Sequence, residues 1–62
     1  MFFTYYDSKA GHQNEKFYFL SALIAHIESF TPDPEEESDG IVYANNIQIL
    51  TYHSKGLSLI WK

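Results

Sequence analysis

Apolar residues of this 62-residue chain recur with the period of a helix between positions 14 and 30. At about 100° per residue they fall on one broad arc of a helix. The arc consists of Phe17, Phe19, Leu20, Leu23, Ile24, Ile27 and Phe30. Asn14 can cap the N-terminus of such a helix. Thr31 can end it, because a residue that precedes proline avoids the helical region. The pattern therefore predicts an amphipathic helix over residues 14–30.

The segment before this helix is first aromatic and then polar. Residues 1–6 are β-prone and predict a first strand, whereas residues 7–13 are polar, contain a glycine and predict a loop. An alternative division makes residues 16–20 a second strand that pairs with the first. It leaves a shorter helix capped by Ser21. Both divisions are compatible with the pattern.

Three short apolar segments separated by turn residues occupy the C-terminal third of the chain. They predict strands over residues 41–44, 47–53 and 57–61. Asn45 and Asn46 form a two-residue connection, since asparagine tolerates the positive φ that a type I′ hairpin requires. Residues 54–56 form a three-residue loop with Gly56 at the left-handed position. This part of the chain is therefore predicted to be an antiparallel meander.

These elements define one small α+β domain over residues 1–62. We expect one amphipathic helix packed on a four-stranded mixed sheet, in the order β-α-β-β-β. The first strand would lie parallel to the strand that it joins through a right-handed crossover. The alternative division gives the order ββαβββ.

Alternation along the predicted strands does not separate apolar from polar side chains. In the strand over residues 47–53, two isoleucines point to one side, and Leu50 and Tyr52 point to the other. The outer face of the predicted helix holds Tyr18 and several small residues. Contiguous exposed apolar surface often marks a protein–protein site. We therefore expect a partner protein or a second copy of the chain to cover one of these surfaces.

Composition limits the ways in which so small a domain can be stabilised. Domains under about 70 residues usually need disulfides, a metal, dense packing or oligomerisation. The chain has no cysteine, which leaves self-association or dense packing of its five Phe, five Tyr and one Trp. It begins at Met1 without a basic leader and has no apolar stretch of membrane length. We expect a soluble cytoplasmic protein with its natural start.

The chain is acidic, with a net charge of −4, four lysines and no arginine. Direct nucleic-acid binding is not expected, because such proteins concentrate Lys and Arg against the phosphates. Five of the eight acidic residues lie in the segment PDPEEESDG, residues 32–40. Residues 33–36 fit a capped helical turn, which Ser38, Asp39 and Gly40 would end. The block is either an inert solvated loop or a mimic of a phosphate strand, whose charges are about 3.4 Å apart.

Catalytic and metal-binding motifs are absent from the sequence. His12, His26 and His53 are far apart and lack the i,i+4 spacing of a ligand pair. The acidic block lacks the ligand spacing of a calcium loop. We expect neither an enzyme nor a bound cofactor or metal. A small enzyme or metal binder would need a pocket that unites a histidine with carboxylates.

In size, acidity and aromatic content, the chain resembles the small inhibitor proteins that phages direct against host enzymes. The resemblance is compositional and assigns no site residues. We predict a small acidic protein-interaction module, a phage or mobile-element inhibitor that blocks a basic host nucleic-acid enzyme in the host cytoplasm. The alternative is a homo-oligomeric accessory protein with an inert acidic loop. The predicted partner-binding residues are Asp33, Glu35, Glu36, Glu37, Asp39, Tyr18 and Tyr52.

Overall fold

The structure, a computed structural model, describes residues 1–29, 37–55 and 58–62. Within them lie β1 (Phe3–Asp7), β2 (Gly11–Phe17), α1 (Leu20–Glu28), β3 (Glu37–Ala44), β4 (Ile47–Lys55) and β5 (Ser58–Trp61). The strands form one sheet of order β2-β1-β3-β4-β5, and every neighbouring pair is antiparallel. The predicted four-stranded mixed sheet is therefore wrong. The observed order of elements is ββαβββ.

The predicted parallel pairing of the first strand is wrong because another strand follows it before the helix. β2 turns back along β1, and β3 pairs antiparallel with the opposite side of β1. β2 and β3 consequently run parallel to each other with β1 between them. The crossover connection through α1 therefore joins the two parallel strands β2 and β3, and β1 is the strand that separates them in the sheet.

β2 does not show a strand pattern in the sequence because it is a polar strand at the edge of the sheet. Its residues GHQNEKF include no apolar side chain before Phe17. The turn that leads into it is held by Asp7, whose Oδ1 accepts hydrogen bonds from the backbone N–H groups of Lys9 (2.8 Å) and Ala10 (3.2 Å). Gly11 follows with a φ of +85°, which glycine adopts without strain. The predicted loop over residues 7–13 is therefore a short turn between two strands.

α1 is shorter than predicted and has no polar side-chain cap. Asn14 belongs to β2, and the N-cap residue is Phe19, in an extended conformation with φ −129° and ψ 131°. Ser21, the cap in the alternative division, lies inside the helix, and the second strand of that division is also misplaced. Burial of Leu23 and Ile27 fixes the position of α1, since most helical stability in proteins comes from tertiary packing.

β3 and β4 are longer than predicted, whereas β5 (Ser58–Trp61) lies within the predicted 57–61. Asn45 and Asn46 have φ values of 48° and 67°, which confirms the two-residue turn between β3 and β4. Lys55 pairs with Ser58, so the predicted loop over residues 54–56 is wrong in its first two residues, and Gly56 lies outside the described residues. Pairing between β3 and β4 extends both strands into residues whose local sequence is typical of turns.

The acidic segment is divided by the start of β3. Ser38, Asp39 and Gly40, which we expected to end a turn, belong to β3 and pair with β4. The predicted capped turn over residues 33–36 lies outside the described residues. The sequence SDG is typical of a turn, but here β4 pairs with all three residues and β1 pairs with Gly40, which keeps the segment extended.

The core lies between α1 and one face of the sheet, here called the inner face. Its buried residues are Tyr5, Leu23, Ile27, Val42 and Tyr52, with Phe3, Phe17, Leu20, Leu50, Leu59 and Trp61 partly buried around them. α1 contacts β1 and β2. The described residues contain no helix of the length and apolarity needed to cross a membrane.

Candidate functional site

The face of the sheet opposite α1, here called the outer face, carries the residues that alternate with the core positions. Its registers place Tyr6 between His12 and Ile41, and His53 between Asp39 and Ile60. Its members include Thr4, Tyr6, His12, Glu37, Asp39, Ile41, Tyr43, Thr51, His53, Lys55, Ser58 and Ile60. Since α1 packs on the inner face, no described helix covers this surface.

Aromatic rings occupy the end of the outer face near β2. The ring of His12 lies 6.5 Å from that of Tyr6 and 6.2 Å from that of Tyr43, measured between centroids. Thr4, two residues before Tyr6 on the same face, is only 7% exposed, whereas Tyr6 is 38% exposed. The tyrosine ring therefore presents an apolar surface with a polar hydroxyl, a combination that is enriched at interfaces.

Two cross-strand contacts, a histidine–aspartate hydrogen bond and a lysine–glutamate ion pair, lie towards the other end of the outer face. His53 Nδ1 is 2.7 Å from Asp39 Oδ1, and Lys55 Nζ is 3.3 Å from Glu37 Oε1. Both carboxylates stay accessible, with the Asp39 side chain 79% exposed. Alternate residues of a strand are about 6.6 Å apart, twice the charge spacing of a phosphate strand. Because Glu37 and Asp39 are paired and spaced in this way, their density of negative charge is lower than that of a phosphate strand.

The other predicted partner-binding residues lie elsewhere. Tyr18 is 68% exposed and belongs to the connection between β2 and α1. Tyr52 is 3% exposed and belongs to the core, so its ring is not presented to a partner. Asp33, Glu35 and Glu36 lie outside the described residues. The structure thus brings Glu37 and Asp39 together on the outer face and places Tyr52 on the inner face.

The sequence did not identify the buried polar cluster around Asp7. The Tyr52 hydroxyl donates a hydrogen bond to Asp7 Oδ2 at 2.5 Å, and the Ser38 hydroxyl donates to the same oxygen at 3.4 Å. Ser38 Oγ is in turn 2.7 Å from Ser54 Oγ. Asp7 is 6% exposed. The sequence signal for this cluster was an aspartate directly after an aromatic strand. Its partner Tyr52, however, lies 45 residues further along the chain.

The cluster favours an ionised Asp7 beside a protonated Tyr52. Burial by itself would raise the pKa of Asp7, but hydrogen bonds from Tyr52, the Lys9 and Ala10 N–H groups and Ser38 outweigh it and lower the pKa. Burial, followed by the hydrogen bond and the charge of Asp7, raises the pKa of Tyr52. Among the described residues, every buried side-chain nitrogen and oxygen has a partner. The cluster therefore acts as a structural clamp whose described buried polar atoms are all hydrogen-bonded.

The three histidines are separated by the fold. His12 and His53 lie on different strands of the outer face, and the ring of His26 packs against Tyr5 and Phe17 at 5.9 and 5.1 Å. In the part of the chain that the structure describes, no three His, Asp or Glu side chains are grouped to bind a metal ion.

Comparison with protein-family models, with curated proteins and with solved structures gave no match to this chain.

Proposed function

We propose that this chain is a protein-interaction module that binds a basic partner protein through the outer face. The observation that carries the proposal is the large apolar side chains on this face, which no described helix covers and where Tyr6 is 38% and Ile60 55% exposed. Burying an aromatic ring excludes on the order of 150–250 Å² from water. Tyrosines near the centre of an interface commonly dominate its binding energy.

Charge supports a basic partner. The chain has a net charge of −4, and an acidic surface steers a basic protein towards it and raises the association rate. Asp39 and Glu37 lie on the outer face itself, and Asp33, Glu35 and Glu36 precede β3 in the sequence. More specifically, we propose that the partner is a host nucleic-acid enzyme and that the acidic residues occupy its basic channel.

The experiment compares two tyrosine variants with the wild type in quantitative capture of a partner from host extract. Tyr6→Ser removes the ring from the outer face, and Tyr18→Ser is the matched control because Tyr18 is exposed outside that face. We expect the captured protein to fall at least tenfold with Tyr6→Ser and to stay unchanged with Tyr18→Ser. Equal capture by all three chains, or loss with Tyr18→Ser alone, would overturn the outer face as the binding site.

A second arm tests the acidic block. The variant D33N/E35Q/E36Q removes three charges without changing side-chain size, and we expect it to weaken capture and reduce its dependence on salt. Unchanged capture would reject a nucleic-acid enzyme as the class of partner. It would also show that Asp33, Glu35 and Glu36 do not contribute to binding. The outcome of the tyrosine variants would still decide the outer face.

A further inference from the structure

The two edge strands of the sheet, β2 and β5, differ in the features that discourage pairing with a strand of another molecule. β2 carries Asn14, Glu15 and Lys16, and its register with β1 shifts between Phe3 and Tyr5. Charges and irregularities of this kind prevent an edge from pairing with another strand. β5, with the sequence SLIW, has no charge and pairs with β4 in an unbroken register. Among the described residues, both features are therefore present in β2 and absent from Ser58–Trp61 of β5.

The outward-facing backbone groups of β5 follow from its pairing with β4. The Lys62 N–H donates to the Thr51 carbonyl at 2.8 Å, and the Thr51 N–H donates back to the Lys62 carbonyl at 3.3 Å. Bonded and non-bonded pairs alternate along an antiparallel ladder. Ile60 therefore bonds to His53, whereas the N–H and C=O groups of Leu59 and Trp61 point away from β4. No described strand lies beyond them.

We propose that β5 pairs antiparallel with β5 of a second copy of the chain, with Ile60 opposite Ile60 at the two-fold axis. In this register Leu59 of each copy is opposite Trp61 of the other, and both residues satisfy their outward N–H and C=O groups. The pairing joins two five-stranded sheets into one continuous sheet. The interface is isologous, because the same strand serves both copies.

The side chains of β5 favour this register over its neighbours. Ile60 is 55% exposed on the outer face, while Leu59 and Trp61 are half-buried on the inner face. With Ile60 on the axis, apolar groups meet on both faces, and Lys62 lies opposite Ser58. Moving the axis by one residue would place Ile60 opposite Ser58 or Lys62. Self-association is also one of the two routes, beside dense packing, by which a cysteine-free chain of this size gains stability.

Sedimentation of two lysine variants tests the pairing. Ile60→Lys sets two charges against each other on the axis and should raise the dimer dissociation constant at least tenfold. Ile47→Lys is the matched control, since Ile47 is 69% exposed at the far end of β4. We expect it to leave the dimer unchanged. A wild-type chain that sediments as a monomer at about 1 mM, or equal dissociation constants for both variants, would overturn the proposal.

Cysteine cross-linking tests the register independently of any effect on stability. The native chain has no cysteine, so Ile60→Cys introduces a single thiol. Cα atoms of a non-bonded antiparallel pair are about 4.5 Å apart, within the range that a disulfide spans. Mild oxidation should link Ile60→Cys chains into dimers and leave Ile47→Cys chains unlinked. Equal linking of the two would exclude this register. The proposal does not depend on the outer-face function, and Tyr6→Ser should dimerise normally.

Discussion

The hydrogen bond between Tyr52 and Asp7 is the residue-scale feature that most directly ties distant parts of the chain together. Tyr52 lies in β4 and Asp7 at the end of β1, with β3 between them. Bonds to a charged acceptor are stronger than neutral ones, and a buried carboxylate that loses its donor keeps its desolvation penalty. The clamp thus fixes the positions of three strands relative to one another.

Tyr52→Phe should destabilise the protein, because it removes the main side-chain donor to Asp7 Oδ2 and leaves the ring in place. We expect the free energy of unfolding to fall by about 1.5–3 kcal/mol in urea denaturation. Tyr18→Phe, which deletes a hydroxyl from a 68% exposed side chain, is the control and should change it by less than about 0.5 kcal/mol. Similar losses in the two variants would mean that the clamp adds no stability.

The clamp also predicts how stability depends on pH. The pKa of Asp7 is lower in the folded chain than its ordinary value of about 3.9. The unfolded chain therefore binds more protons over the interval between the two values. This part of the stability is present above the ordinary pKa and is lost as the pH falls through the folded pKa.

Urea midpoints measured between about pH 5 and pH 2 check this dependence in the wild type and in Asp7→Asn. The variant cannot ionise at position 7, so its stability should be lower at pH 5 and fall less on acidification. Parallel curves for the two proteins would show that Asp7 titrates alike in the folded and unfolded chains.

At the scale of elements, one row of paired residues explains why Gly40 is a strand residue. Gly11, Asp7, Gly40, Tyr52 and Trp61 are successive cross-strand partners from β2 to β5. The Tyr52 ring lies over Gly40, where a Cβ atom would overlap it. The missing side chain allows the hydroxyl to reach Asp7 across β3.

Gly40→Ala should therefore destabilise the protein by about 1–3 kcal/mol, the usual effect of overpacking a core. In a Tyr52→Leu background the ring is gone, and the same substitution should have a much smaller effect. A double-mutant cycle in chemical denaturation measures the difference. Additive effects of the two substitutions would contradict a role for the glycine in accommodating the ring.

Elements could be predicted from the sequence where the signal is local. Asn45 and Asn46 identify their turn because asparagine itself tolerates positive φ. β2 could not be found, since a polar edge strand has no apolar period, and its residues resemble a loop. Gly40 is predicted to end a turn but lies in β3, because its role is set by Tyr52, a partner on another strand. Where the local pattern fits more than one element, pairing with residues distant in the sequence determines which element forms.

At the scale of the whole molecule, the sheet has three distinct surfaces: an inner face under α1, an outer face with exposed rings, and the β5 edge, beyond which no described strand lies. An apolar character on both faces was predictable from the alternation, but the identity of the exposed residues was not. Tyr52 is buried because its ring covers Gly40, and Tyr6 is exposed because no described element packs beyond it. The strand registers therefore make Tyr6, and not Tyr52, the candidate binding tyrosine of the sheet.

Site-specific photo-cross-linking shows whether a partner protein contacts the outer face. A photo-reactive phenylalanine analogue replaces Tyr6 in one chain and the exposed helix residue Ala22 in another. We predict a covalent adduct with one partner protein from position 6 and none from position 22. Adducts from position 22 alone, or from neither position, would contradict the proposed contact.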